Sequence, residues 1–493
     1  MSKMIDKDLP FEFAAPRLTS SGPVGAISHE VLTGTIQVLD FCAVFFAGAA
    51  AFASYVVGVW GQRDELVGYA LTIFVVALVF VSALRRAGAY TLQRLQQLGW
   101  QIGRVTLVWA GTLAALATLA FFAKVGDSYS RIWAATWAVL TLGEIALMRV
   151  VLRGLVRRWT RQGRLSRTVA IVGAGEHGEQ LVRKLLTAEY GRVAIAGIFD
   201  DRLGRVPDYV AGCPILGTTD DLISFARRVL IDEIIIALPL RAEGRIGDLV
   251  GKLRSLPVDL RLSIDQIGSF PMRGIAQTES GRMIEILDRP LKHWSGILKW
   301  LEDEILGTLC FIVFAPLMAL IALMVRLDSP GPVLFIQERF GYNNRIVRVY
   351  KFRTMRVEAS DPSGAARTVP NDPRMTRVGR YLRRYSLDEL PQLFNVLRGE
   401  MSLVGPRPHA LAMKAGERLY HHAVSDYFLR HRVRPGMTGW AQVNGLRGEI
   451  DTLQKARQRV VHDLYYIDNW SLWLDLKILM KTLVTVFRVT GAG

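Results

Sequence analysis

Cysteine is scarce. Cys42, Cys213 and Cys310 stand far apart in 493 residues, two of them inside apolar stretches, so neither a disulfide framework nor a paired metal or redox site is expected. Acid is outnumbered too: 44 Asp and Glu face 61 Lys and Arg, a formal net charge of +17. No zinc-finger or RNP-type pattern accompanies that excess, and the arginines gather beside apolar runs, which argues for lipid as the partner and against nucleic acid. The N-terminus, MSKMIDKDLPFEFAAPRLTSSGP, lacks the apolar centre of a cleaved signal, so residues 1–30 are expected to be a cytoplasmic tail. Tyr-x-x-x-Lys is also absent, and with it the usual dyad of a redox enzyme or epimerase.

Long apolar runs are what the chain has in plenty. Residues 35–60, 66–84, 102–123 and 131–152 each supply about 20 residues, enough to cross a bilayer as a helix, and predict a four-helix transmembrane domain over 31–155. Arg85, Arg86, Arg94 and Arg104 fill the second connection, and Arg153, Arg157, Arg158, Arg161, Arg164 and Arg167 follow the fourth run. The other two connections, GQRDE and AKVGDSYS, are short and nearly neutral, so both ends of this domain should face the cytoplasm. A fifth run, 305–325, would carry everything after it outside, yet basic residues flank it on both sides. Pro316 in its middle removes a backbone donor, so a re-entrant helix over about 302–326, broken at Pro316, is the preferred reading over a plain fifth span.

From residue 166 the pattern changes. RTVAIVGAGEHGEQLVRKLL, VAIAGIFDD, DDLISFARRVL and DEIIIALPL alternate strand and helix, which predicts a Rossmann-like, doubly wound domain over 166–288. Gly173, Gly175 and Gly178 fit G-x-G-x-x-G after a strand, and Asp200 or Asp201 ends the next strand where a ribose-binding acid would sit. The glycines are nucleotide-site candidates; the alternative is that they only permit a tight turn and close helix packing. The last segment, NWSLWLDLKILMKTLVTVFRV, aligns Lys477, Lys481 and Arg488 along one stripe and reads either as an interfacial helix or as a core helix.

The stretch RRYSLDELPQLFNVLRGEMSLVGPRP, 383–408, sets Asp388 beside Glu389 among arginines. Ser386 and Glu389 satisfy S-x-x-E, an ordinary capping box. Pro391 opposes that reading, because it has no amide to offer Leu387; it suits the first turn of a helix that starts later and stops before Gly399. The acids then stand in the preceding turn. Arg383, Arg384, Arg407, Arg432 and Arg434 surround them, and arginine forks on proline-stiffened loops suit phosphate oxygens, with a magnesium ion between carboxylates and a pyrophosphate. Taken singly, Arg384 reads as a solvated face or lipid-headgroup contact, and Arg432 is open between the two roles.

YKFRTM (350–355), SLDELPQLFNVLRGEMSLVGPRP (386–408), RVRPGMTGWAQVNG (432–445) and HDLYYIDNWS (462–471) together resemble the bacterial sugar transferase family, the polyprenyl-phosphate hexose-1-phosphate transferases or monotopic phosphoglycosyl transferases. The resemblance covers 291–493 densely, and the front half resembles the family's long members. It implies an α-rich catalytic domain over 291–493, anchored by a re-entrant helix on the cytoplasmic face of the bacterial inner membrane. It also implies a UDP-sugar and undecaprenyl phosphate as substrates, UMP as product, and a place at the first membrane step of exopolysaccharide or capsule synthesis. By residue-wise matching, Asp388 would be the nucleophile that forms a phosphoryl-aspartate, and Asp388 and Glu389 would hold Mg²⁺. Arg339, Lys351, Arg353, Arg383, Arg407 and Arg434 would stabilise phosphate charge. Asp463 aligns with a late acid whose task stays open; a helix-surface acid is the alternative. Glucose and galactose both suit the resemblance, glucose being preferred on the family's frequency alone, and the front half offers a surface for a homodimer. One departure is that Lys299, Trp300, Leu301 and Glu302 stand where a basic pair often opens the anchoring helix. Two other readings remain: a conventional glycosyltransferase releasing UDP, and a non-catalytic scaffold or nucleotide sensor.

Overall fold

The computed structural model of the chain describes residues 29–59, 66–124, 129–162, 165–188, 193–264, 275–278, 281–357, 372–415, 418–446, 448 and 452–487. The expected tail, apart from its last residues, the loop GQRDE, Arg164 and Arg488 lie outside them. The chain divides into two compact units, 23–167 and 168–493.

In the first unit, α1 (His29–Ala51) runs into one π-helical stretch, and α2 (Leu66–Arg86), short α3 (Leu92–Leu95), α4 (Leu98–Phe122) and α5 (Arg131–Arg161) follow. α1 packs on α2 and α5, and α4 on α2 and α5. Trp109, Trp133 and Trp137 fill the centre. The indole N–H groups of Trp133 and Trp137 donate to the carbonyls of Gly48 (3.1 Å) and Val44 (2.9 Å), satisfying the polar handle that a buried tryptophan brings. Charge is buried as a pair: Arg149 on α5 meets Asp40 on α1 at 2.6 Å, with the Tyr90 hydroxyl donating to the same carboxylate.

Four helices are long and apolar enough to cross a membrane: the one over Val31–Val57, then α2, α4 and the later His293–Asp328. The expected fourth span, α5, forms as a helix but is not among them. Glu144, Arg149 and the basic run that begins at Arg153 dilute its apolar content.

The second unit opens with an eight-stranded sheet. Its elements are β1 (Arg167–Val172), α6 (Glu176–Ala188), β2 (Val193–Phe199), β3 (Tyr209–Val210), β4 (Cys213–Gly217), α7 (Thr219–Arg228), β5 (Glu233–Ile236), α8 (Glu243–Leu253), β6 (Asp259–Ser263), β7 (Ile275–Thr278) and β8 (Gly281–Leu287). The order β3-β4-β2-β1-β5-β6-β8-β7 is parallel through its centre, β5 beside β1 and β6 beside β5, with an antiparallel pair at each edge. Alternate residues of β1 serve two cores: Val169 and Ile171 join one, Ala170 and Val172 the other. A strand buried on both faces needs an unbroken apolar run, and RTVAIV supplies it. The Rossmann-like expectation is met.

α9 (His293–Asp328) is one helix of 36 residues that passes through Pro316 without ending there, starting earlier than the expected 302. Both of its ends are fastened to the same domain. Near the start, Lys299 meets Asp475 at 2.6 Å, while Asp303 accepts from the Ser402 hydroxyl and the Leu403 amide. At the far end Asp328 accepts from the Val378 amide at 3.0 Å, and Met318, Ile321 and Val325 share a core with Phe352 and Leu382.

The rest builds the site: β9 (Leu334–Phe340), β10 (Ile346–Phe352), α10 (Arg377–Arg384), α11 (Gln392–Leu397), β11 (Ser402–Val404), β12 (Lys414–Ala415), β13 (Arg418–Leu419), α12 (Tyr420–Ala423), β14 (Gly436–Thr438), α13 (Trp440–Val443), α14 (Leu453–Asp468) and α15 (Leu472–Phe487). Where the GPRP and RPGMTG segments cross, side chains have no room: a Cβ on Gly436 would lie 2.1 Å from the Gly405 nitrogen. α15 answers the question left open for it on both sides. Asp475 and Ile478 are buried, whereas Trp473, Leu476, Met480 and Leu483 are exposed, and Lys477 and Lys481 sit over the Trp440 ring.

Candidate active site

β9 and β10 pair antiparallel, with Arg339 opposite Val347 and Phe335 opposite Lys351. Period-two alternation therefore puts Arg339, Gln337 and Lys351 on one face of the hairpin. Gln337 accepts from the Arg339 guanidinium at 2.7 and 3.1 Å, and a third N–H reaches the Pro408 carbonyl at 2.8 Å, so the fork is held in place. Asn395, buried on α11, fixes the other strand. Its amide donates to the Arg348 carbonyl (2.7 Å) and its oxygen accepts the Tyr350 amide (3.1 Å).

That face meets the acid pair. Ser386 adopts a left-handed φ of 58° and makes no capping bond, so the capping-box alternative does not form; Leu387–Glu389 is a single 3₁₀ turn. Pro391 precedes α11 directly, and Gly399, with φ 71°, follows its cap. The carboxylate of Glu389 is clamped: Lys351 Nζ lies 2.8 Å from Oε1, Arg407 donates to Oε2 at 3.1 Å, and a second Arg407 N–H donates to Oε1. Asp388 is buried, and among the described residues no donor engages its carboxylate.

These surroundings separate the two acids. Burial opposes the charge of Glu389, but Arg407 and Lys351 outweigh it and hold that carboxyl well below its ordinary range. Burial, with the neighbouring Glu389 charge, raises Asp388 against the pull of Lys351, Arg383 and Arg407. Burial likewise lowers Lys351 and, with Arg407 beside it, lowers Arg339 to about 10.

The remaining candidates divide. Arg383 donates to the Thr354 hydroxyl at 2.9 Å and stands near enough to favour the Asp388 charge. Arg434 is exposed beside Gly399. Arg353 is elsewhere: it is buried and donates to the carbonyls of Val325, Ser329 and Pro330, closing the C-terminus of α9. Arg432 donates to the Asp288 carbonyl, and Arg384 is exposed. Asp463 is not a surface acid. It lies on the inner stripe of α14 with Val460 and Tyr466, paired at 2.5 Å with the buried Arg430, which donates to the Arg407 carbonyl at 2.8 Å and contacts His409. Gln337, Asn395 and Arg430 were missed. The signal for Asn395 was an amide set between Phe394 and Val396 in the short helix QLFNVL; Gln337 and Arg430 left none beyond proximity to named residues.

Among the described residues no third acid, histidine or cysteine joins Asp388 and Glu389. Magnesium takes one or two carboxylates and fills its shell with water and phosphate oxygens, and both oxygens of Glu389 are already engaged by Lys351 and Arg407. The free oxygens belong to Asp388.

The glycine turn has a different character. A Cβ on Gly178 would lie 2.0 Å from the Gly173 carbonyl, and one on Gly173 2.7 Å from that of Ala237, so both glycines serve close packing. Asp200, fully buried, accepts the Ala174 amide (2.9 Å), the Arg202 amide and side chain, and Arg245 (3.3 Å). Glu176 and Glu179 stand in the first turn of α6, where a phosphate would need positive potential. In this turn Asp200 and the Ala174 amide satisfy each other.

Comparison with known proteins bears on both regions. The bacterial sugar transferase family matches residues 294–489, and a family described as CoA-binding domain matches 85–263. The chain is 34% identical to the UDP-glucose:undecaprenyl-phosphate glucose-1-phosphate transferase of Xanthomonas campestris pv. campestris, over 96% of each chain. It is 40% identical to the undecaprenyl-phosphate glucose phosphotransferase of Komagataeibacter xylinus, over 70% of this chain and 64% of that protein. The exopolysaccharide production protein PSS of Rhizobium leguminosarum bv. phaseoli is 52% identical; 94% of it matches only 38% of this chain.

Proposed function

The chain belongs to the bacterial sugar transferase family, and from that premise we propose that it transfers glucose-1-phosphate from UDP-glucose to undecaprenyl phosphate, releasing UMP. The observation that carries the mechanism is the contrast within the acid pair: Glu389 is clamped by two cations and Asp388 is open. An Asp388 oxygen attacks the sugar-bearing phosphorus; the bond from that phosphorus to the bridging oxygen breaks, and UMP leaves with the electron pair. The phosphoryl-aspartate then yields to an oxygen of undecaprenyl phosphate, which restores the carboxylate and forms the lipid diphosphate sugar. Arg339, Lys351, Arg383 and Arg407 face the charge that builds on the phosphoryl oxygens, and Arg434 stands at the mouth. Arg353 serves by closing α9. Mg²⁺, held by Asp388 with Glu389 and the diphosphate, would neutralise phosphate charge.

The acceptor is a lipid, so the site belongs at headgroup level. α9 is fastened near both ends to one domain, which supports a re-entrant anchor, because a crossing helix would carry Lys299 and Asp328 to opposite faces of the bilayer while their partners belong to a single domain. Basic flanks favour the cytoplasmic face of the inner membrane. The sheet's edge strands, β3 and β7, each have one side without a neighbouring strand in the sheet, and a homodimer pairs two copies there.

The test measures uridine nucleotide released from UDP-glucose by the detergent-solubilised chain with Mg²⁺ and undecaprenyl phosphate. UMP is expected, and Asp388→Asn should lose about 10³-fold or more of it. UDP as product would establish the conventional glycosyltransferase instead, and no release from any UDP-sugar would leave the scaffold.

A further inference from the structure

The Rossmann-like domain meets the catalytic part at a place far from its own glycine turn. In an α/β sheet each helix starts at the carboxyl end of one strand and finishes at the amino end of the next, so helix C-termini lie at the edge opposite the glycines. α7 finishes there with Ala226 and Arg227, and α8 is followed there by Arg254. The last carbonyls of a helix lack partners inside it. Here two of them are taken by the β9–β10 turn: Asn343 donates to the Ala226 carbonyl and Arg345 to the Arg227 carbonyl, each at 2.9 Å.

The turn is built for that grip. Asn343 is 5% exposed and left-handed, with φ 54°, and Asn344 follows at 58°. The amide of Gly341 donates to the Arg345 carbonyl at 2.8 Å, while Asn344 contacts His431, whose ring stacks on Phe340. One residue before Phe340 stands Arg339, and five residues after Ile346 stands Lys351. A second contact lies beside the first: Arg254 meets Asp426 at 2.5 Å, just ahead of the segment that carries Arg430 and, through it, the Arg407 carbonyl.

We propose that the Rossmann-like domain braces the active site, with Asn343, Arg345 and the Arg254–Asp426 pair as positioning residues that hold Arg339, Lys351 and Arg407 on the sugar-bearing phosphate. The glycine turn, closed by Asp200, is a packing joint in this scheme, and the domain contributes through the opposite edge of its sheet. The proposal uses the phosphosugar-transfer reading for its readout; wild-type UMP release tests that reading, and only the comparison of variants tests the brace.

The experiment measures kcat and KM for UDP-glucose with the full chain, using the UMP burst to count active molecules. Asn343→Leu removes a buried donor and should lower kcat about ten-fold with KM changed less than about two-fold, as expected when pre-set groups shift by a fraction of an ångström. Arg254→Asp places like charges together at a half-exposed pair and should lower kcat about three- to five-fold. Restoring the pair in the swap Arg254→Asp with Asp426→Arg should recover it. Wild-type kcat in both single variants, or loss that the swap does not recover, overturns the brace. If Asn343→Leu does not fold, the exposed pair decides alone.

Discussion

At Asp388 the carboxylate is buried and takes no hydrogen bond from a described residue, whereas Glu389 accepts from Lys351 and from two nitrogens of Arg407. Two adjacent acids thus leave the fold with different work: one fixed as an anion that organises cations, the other free to reach a phosphorus. The form of Asp388 that attacks is the carboxylate, and its pKa is raised by burial and by Glu389. Activity should therefore fall as pH drops through a value above the ordinary aspartate range of about 4. Glu389→Gln removes the neighbouring negative charge and frees Lys351 and Arg407 to face Asp388. Both changes favour the carboxylate, so the acid limb of kcat/KM should move to lower pH; a limb that stays or rises contradicts this assignment. The pair itself was legible in DE beside arginines. Which acid is open was not, because that depends on Lys351 and Arg407, 38 residues before Glu389 and 18 after it.

Elements show the same division between local and distant causes. α11 was readable to within a residue, Pro391 standing just ahead of the helix instead of in its first turn, since Pro391 and Gly399 act on their own backbone. β1, β2 and β5 were readable because each is an apolar run between turn signals, whereas β3, two residues long, and β6, the alternating DLRLS, carry no such run. α9 was harder: hydropathy sees one apolar helix, while its course is set by Lys299, Asp303 and Asp328, which hold partners 50 to 176 residues away. Arg353 belongs to the same problem, a motif arginine spent on the helix's closing carbonyls. If both ends of α9 stay on one face, cysteines placed at the exposed Trp294 and Leu327, with Cys42, Cys213 and Cys310 replaced by alanine, should react alike. An impermeant maleimide is expected to label both in inverted membrane vesicles and neither in intact spheroplasts. Labelling from opposite sides would make α9 a true span.

At the scale of the whole molecule, the contacts from Asn343 to Ala226 and from Arg254 to Asp426 both lie within residues 168–493, and the helices of 23–167 form a unit of their own. The Rhizobium relative covers 94% of its own length on 38% of this chain, and the sugar transferase family match, 294–489, lies outside helices α1 to α5. Their core closes on itself: Trp133 and Trp137 donate to carbonyls within it, and Arg149 pairs there with Asp40. A chain beginning at residue 166 should then keep the sheet, its edge strands, the brace and α9 together. Its kcat for UMP release is expected within about two-fold of the full chain. Sedimentation in detergent should still find a dimer, because β3 and β7 remain. A ten-fold loss of kcat would bring the front helices into catalysis, and monomer alone would remove the sheet edge as the pairing surface.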